Sequence, residues 1–165
     1  MQTLRGGALG LLVVSLTACG GAGASSASEQ ALQRQADLRA IEQIERSWHE
    51  ATSSHDIDLM MSLWAPNATF TVGPGQTLTG KEEIRQFFLE SKVFKPGNHW
   101  VSDTPAYKIR VAANGDRGTL YFECHYVDGE TGKVVAYTGA DQQVAKINGR
   151  WLITSNVGAS ATLTP

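Results

Sequence analysis

Leu38, Ile41, Ile44, Trp48 and Ala51 recur at steps of three and four. Such spacing puts them on one face of a helix, so a long helix is predicted from about residue 31 to Ser53-Ser54-His55. Asp56 suits an N-cap, because its carboxylate can accept from the free N–H groups of the next turn. Leu59, Met60, Leu63 and Trp64 then share a face of a short second helix. Pro66 stops it by restricting Ala65. Ala68, Phe70 and Val72 alternate with Asn67, Thr69 and Thr71, the pattern of a half-buried strand. Gly73-Pro74-Gly75 turns the chain. Thr79 and Glu82 have capping-box spacing, with Thr79 as N-cap and Glu82 reaching back. Ile84, Phe87 and Phe88 form the buried stripe of a third helix, expected to end at Pro96-Gly97.

Beyond His99 the period changes to two. Tyr107, Ile109 and Val111 alternate with polar residues, as do Leu120, Phe122, Cys124 and Tyr126. Asn114-Gly115 and Asn148-Gly149 are hairpin signals, since type I′ turns need positive φ at both central positions. Strands are expected at about 133–147 and 150–157. The fold class is α+β: a long N-terminal helix and two further helices packed on an antiparallel meander. A two-residue turn at 148–149 pairs Gln143 with Thr154 and Val144 with Ile153.

The 165 residues carry 14 Lys and Arg against 16 Asp and Glu. This near-neutral balance offers no basic patch for nucleic acid. Arg5 precedes the apolar run Ala8–Leu16, too short to span a bilayer and sized as a signal h-region. It leads into Leu16-Thr17-Ala18-Cys19, which resembles a bacterial lipobox. The resemblance implies that Cys19 receives a diacylglycerol and that residues 1–18 are removed; the alternative is an ordinary signal peptide cut nearby. The expected organisation is signal peptide 1–18, lipidated Cys and flexible Gly/Ala/Ser tether 19–30, domain 31–160 and tail 161–165. The protein is then held extracytoplasmically at a bacterial cell envelope. A lipidated Cys19 leaves Cys124 without a disulfide partner, as a small buried hydrophobe. No cofactor is indicated, nor any metal site.

The segments HDIDLMMSLWAPNATF, LTGKEEIRQFF and NGRWLI, in that order, resemble the SnoaL-like branch of the nuclear transport factor 2-like superfamily. The resemblance covers about residues 35–160. It implies a cone-shaped α+β fold whose curved sheet wraps helices around a pocket for a small, largely apolar molecule. In dehydratase-like members a His near the position of His99 acts as acid or base, and His titrates near neutral pH. Ketosteroid isomerase, of the same superfamily, uses a protonated Asp on a strand comparable to 133–147. That strand offers Asp141 and Gln143 here, and the sequence does not choose between them. The isomerase's general base follows its first strand, where this chain has Val72-Gly73 and no carboxylate.

The candidate acid/base groups are therefore His99 and Asp141. Candidate ligand-binding residues are Trp48, Trp64, Trp100, Tyr126 and Gln143. His49 lies off the apolar stripe and is expected in solvent; His55 flanks a cap and is expected on the surface. Asp103, before Thr104-Pro105, is read as a turn former. Thr119, Tyr121, Glu123 and His125 form a mixed stripe on the outer sheet face, suited to a homodimer. Two functions remain: acid/base chemistry of isomerase, dehydratase or cyclase type, or a non-catalytic envelope module for binding or protein interaction.

Overall fold

The structure, a computed structural model, describes the backbone of residues 22–73, 75–91, 99–102 and 108–163, and the side chains of 26–72, 75–91, 101 and 108–157. The helices are α1 (Ala22–Ser54), α2 (Ile57–Ser62) and α3 (Lys81–Glu90). The strands are β1 (Trp64–Gly73), β2 (Gln76–Thr79), β3 (His99–Ser102), β4 (Lys108–Val111), β5 (Arg117–Asp128), β6 (Val134–Ile147) and β7 (Arg150–Leu163). The order of one sheet is β2-β1-β7-β6-β5-β3, with β4 also on β5. The β1–β7 pairing is parallel, so the sheet is mixed rather than wholly antiparallel.

α1 starts inside the stretch expected as a tether. Ala22, Ala24, Ala27 and Ala31 have the highest helix propensity of any residue type, which extends the helix there. The stretch expected as a signal peptide, and Cys19, lie outside the described residues. α2 is capped as expected: Asp56 Oδ1 accepts from the N–H groups of Asp58 (3.0 Å) and Leu59 (2.8 Å). Such a cap is worth about 1 kcal/mol. Trp64, however, opens β1 instead of closing α2, because Ser62 is the last helical residue.

β2 was not expected; it pairs Gln76–Thr79 back on β1. This shifts the cap of α3 by one residue. Gly80, at φ 82°, is the N-cap, and Glu83 rather than Glu82 reaches back, accepting from Thr79 N–H at 2.8 Å. α3 ends at Glu90, well before Pro96-Gly97, where Ser91 takes an extended backbone.

The two Asn-Gly pairs behave differently. Asn148 (φ 50°) and Gly149 (φ 79°) both take the left-handed region, as a type I′ hairpin requires. At Asn114-Gly115 only Gly115 does, and the turn closes from Ala112 C=O to Gly115 N–H at 3.0 Å. This is a wider connection than the I′ hairpin expected.

The core sits between α1, α2 and α3 and the concave side of the sheet. It holds Ile41, Ile44, Trp48, Met60, Trp64, Phe70, Ile84, Phe88, Leu120, Phe122, Val144, Trp151 and Ile153. At Gly118 an added Cβ would lie 2.5 Å from the Arg110 carbonyl and 3.2 Å from Ile41 Cδ1, so only glycine lets β4 and α1 close on β5 there.

Two irregularities shape the β6–β7 ladder. Val144 pairs with Ile153 as expected, but Gln143 pairs with Ser155, leaving Thr154 as an extra residue. Asp141 pairs with Val157 and Ala140 with Ala159, so Gly158 is extra as well. Each such bulge bends its strand and resets which side chains face inward.

Candidate functional site

β6 presents Ala140, Gln142 and Val144 to the interior, while Asp141 and Gln143 are exposed. The polar residue expected inside was Asp141 or Gln143; the interior one is Gln142. It is paired across the ladder with Asn156. Both are 1% exposed, and neither Gln142 Nε2 and Oε1 nor Asn156 Oδ1 has a hydrogen-bond partner. Asn156 in turn pairs with Phe70 of β1, whose ring lies 5.5 Å from that of Trp64. The Trp64 indole N–H is also buried and unpartnered.

Aromatic side chains from α1, α3, β1 and β5 gather on the same side of the sheet as these amides. Trp48 meets Trp64 (5.7 Å), Phe88 (5.5 Å) and Phe122 (5.6 Å), and Phe70 meets Phe87 (5.2 Å) and Phe88 (5.8 Å). Further along β5, Cys124 is buried opposite Thr138 of β6. Burial pushes the Cys124 thiol up to about 12, and burial likewise raises the Tyr126 phenol. Both stay protonated at neutral pH, so this cluster can donate hydrogen bonds but supplies no thiolate nucleophile.

α1 adds two groups that its apolar stripe concealed. Glu45 and His49 are 1% and 4% exposed, so His49 is buried rather than solvated. Its Nε2 lies 3.1 Å from the Glu123 carbonyl, on an edge of β5 opposite neither β3 nor β4. A carbonyl only accepts, so that contact assigns the proton to Nε2. Nδ1 then faces Glu45 Oε1 at 2.9 Å, close but out of line for a hydrogen bond. His49 also lines a cleft of about 260 Å³ with Arg46, Glu50, Ser53 and Val101.

Nearer the start of α1, Asp37 Oδ1 accepts from Lys146 Nζ (2.6 Å), Trp151 Nε1 (2.9 Å) and Gln33 Nε2 (3.2 Å). Desolvation works against its charge, but these donors outweigh it and hold the carboxyl below its ordinary value. This triple contact ties α1 to the β6–β7 hairpin.

The expected acid/base pair is not brought together. His99 is opposite Asp128 on β5, and Asp141 is opposite Tyr121. Seven residues of strand separate those partners, about 23 Å at the usual rise. The side chains of His99 and Trp100 and all of Asp103 lie outside the described residues. Trp48, Trp64 and Tyr126 do converge on the interior; Gln143 points outward. His55 is half-buried at φ 59° rather than on the surface. Glu123 and His125 form the expected outer-face pair at 3.1 Å, and Tyr121 OH donates to Glu123 at 3.0 Å. The bonds from His125 and Tyr121 lower the Glu123 carboxyl. Among the described residues no His, Cys, Asp and Glu cluster could hold a metal ion.

Sequence reasoning missed Glu45, His49, Gln142 and Asn156. Glu45 and His49 are four apart and adjoin the stripe residues Ile44 and Trp48. Gln142 shares its parity with Val144. Those spacings were the available signals.

The SnoaL-like domain model matches residues 45–152. No curated protein matches the chain. Among solved structures, an NTF2-like protein with a cystatin-like fold from Novosphingobium aromaticivorans superposes with a TM-score of 0.68 at 14% identity, covering 87% of this chain and 92% of that one. An NTF2-like superfamily protein from Salmonella enterica gives 0.60 at 19%, over 80% and 94%. A ketosteroid isomerase-like protein from Erwinia carotovora gives 0.56 at 18%, over 73% and 92%. At these identities the structures establish a shared fold, and the family match over most of the chain places this protein in the SnoaL-like domain family.

Proposed function

We propose that the domain binds a small, largely apolar molecule between its aromatic wall and the inner face of β6 and β7. The observation that carries this is the Gln142–Asn156 pair. Buried amides without partners are costly in a folded protein. Here they lie on the same sheet face as Phe70 and Trp64, an arrangement that suits an apolar body oriented by a few polar groups. Mass spectrometry of the protein purified under native conditions should reveal a co-purifying molecule that is lost in Gln142→Leu. A protein that yields none, and takes up none from a cell extract, would remove this reading.

A second reading, acid/base turnover of the bound molecule, rests on Glu45 and His49. They supply a buried carboxylate and imidazole 2.9 Å apart, a pairing that the distant His99 and Asp141 do not make. The ketosteroid isomerase-like neighbour makes proton transfer a reasonable class to test. Attachment to the envelope through Cys19 is part of the same proposal. Cys19→Ser should abolish incorporation of radiolabelled palmitate, and equal uptake by both proteins would sink it. No described helix is long and apolar enough to cross a membrane.

A further inference from the structure

The unpartnered atoms at the Gln142–Asn156 pair are of both kinds. Gln142 Nε2 donates, while Gln142 Oε1 and Asn156 Oδ1 accept, and all are buried. Trp64 Nε1 adds a donor on the same side of the neighbouring strand β1. A ligand that only accepts would leave the two acceptors unmet, and one that only donates would leave the donors unmet. Each unmet buried group carries its own desolvation cost.

Charge narrows the class further. The buried polar and charged side chains among the described residues are Asp37, Glu45, His49, Thr52, Gln142 and Asn156, with no Lys or Arg. Asp37 is engaged with Lys146 and Trp151, and His49 sits against Glu45. An anionic ligand would therefore enter without a free cation to meet it, and a buried unpaired charge is strongly disfavoured. A cationic ligand would find the buried carboxylates already placed, Asp37 against Lys146 and Trp151 and Glu45 against His49.

Resting on the binding reading above, we propose that the ligand is uncharged and carries a hydroxyl or amide group that both donates to and accepts from Gln142 and Asn156. The two amides act as a neutral polarity filter at the wall of an otherwise apolar interior. They hold no proton to transfer; their role is selection.

Titration calorimetry with four probes of one shape tests this: naphthalene, naphthol, naphthoate and naphthylmethylammonium. The full-length protein is used, purified from the cytoplasm of a host so that Cys19 stays unmodified. Naphthol should bind roughly three- to tenfold more tightly than naphthalene, the worth of one neutral hydrogen bond. Both ions should bind more weakly than either. Gln142→Leu and Asn156→Leu should each bring the ratio of naphthol to naphthalene affinity toward one. Both variants should also keep or raise the melting temperature of the unliganded protein, because an unmet amide is replaced by an apolar group. Equal affinity for naphthol and naphthalene would overturn the inference while leaving the binding reading intact. Preference for either ion, or a large fall in melting temperature in both variants, would also overturn it. Binding of none of the four would overturn both.

Discussion

His49 bridges α1 and β5, with Nε2 at 3.1 Å from the Glu123 carbonyl and Nδ1 at 2.9 Å from Glu45 Oε1. Both side chains are nearly sealed from solvent, so neither can be removed without leaving the other stranded. Glu45→Leu or His49→Phe alone should cost about 3–5 kcal/mol, and the double variant much less than the sum. Urea melts of the four proteins in a double-mutant cycle give the coupling. Additive losses would show that the two residues act independently.

Asp37 predicts a pH dependence of stability. Its folded-state carboxyl is held below the ordinary value of 3.8 by Lys146, Trp151 and Gln33, against the opposing effect of burial. A depressed carboxyl contributes stability above its unfolded value, and that contribution is lost as pH falls through the folded value. Melting temperature should therefore drop steeply below about pH 4 in the wild type. In Asp37→Asn the neutral-pH stability should be lower and the acid slope shallower. Parallel curves for the two proteins would contradict the assignment.

The aromatic wall sets unequal costs for truncation. Phe122 is 1% exposed and Phe87 is half-buried. Phe122→Ala should cost about 3–5 kcal/mol, and Phe87→Ala clearly less. Trp48→Ala and Phe70→Ala belong with Phe122. Equal losses at Phe87 and Phe122 in chemical denaturation would mean that Phe87 is buried in solution by something else.

The outer sheet face carries Tyr121, Tyr137 and Val157, with Tyr137 and Val157 at 38% and 55% exposure. Such a face suits a symmetric dimer in which each copy covers the other's stripe. Sedimentation of the chain lacking residues 1–21 should show a dimer that Tyr121→Glu weakens. A monomer at high micromolar concentration would dismiss it.

The helices were legible because their buried stripes repeat locally. Asp56 caps α2 for reasons contained in two neighbouring residues, and Asn148-Gly149 specifies its turn by itself. The identical pair Asn114-Gly115 does not, because Ala112 and Ala113 join its loop. Gln142 was readable from the parity of Val144, yet Asp141 and Gln143 drew attention by their chemistry. Asn156 could not be read that way: regular alternation from Ile153 would turn Ser155 inward, and only the extra Thr154 restores Asn156. His49 was misplaced because helical period assigns polar residues off the stripe to solvent, whereas the Glu123 carbonyl of β5 reaches over to it.

The bulge at Thr154 makes the lining of the interior a matter of phase as well as of composition. With Thr154 opposite Gln143 in regular pairing, the strand beyond it would turn over, showing Val157 inward and Asn156 outward. One sequence thus encodes two faces of β7, one showing the Asn156 amide inward and one showing Ser155 and Val157 instead. Parallel pairing of Phe70 with Asn156, and of Thr69 with Ser155, selects the first. The first strand therefore governs the polarity of a surface it does not itself supply, and changes in β1 that loosen this pairing could alter ligand preference without replacing any polar residue of the site.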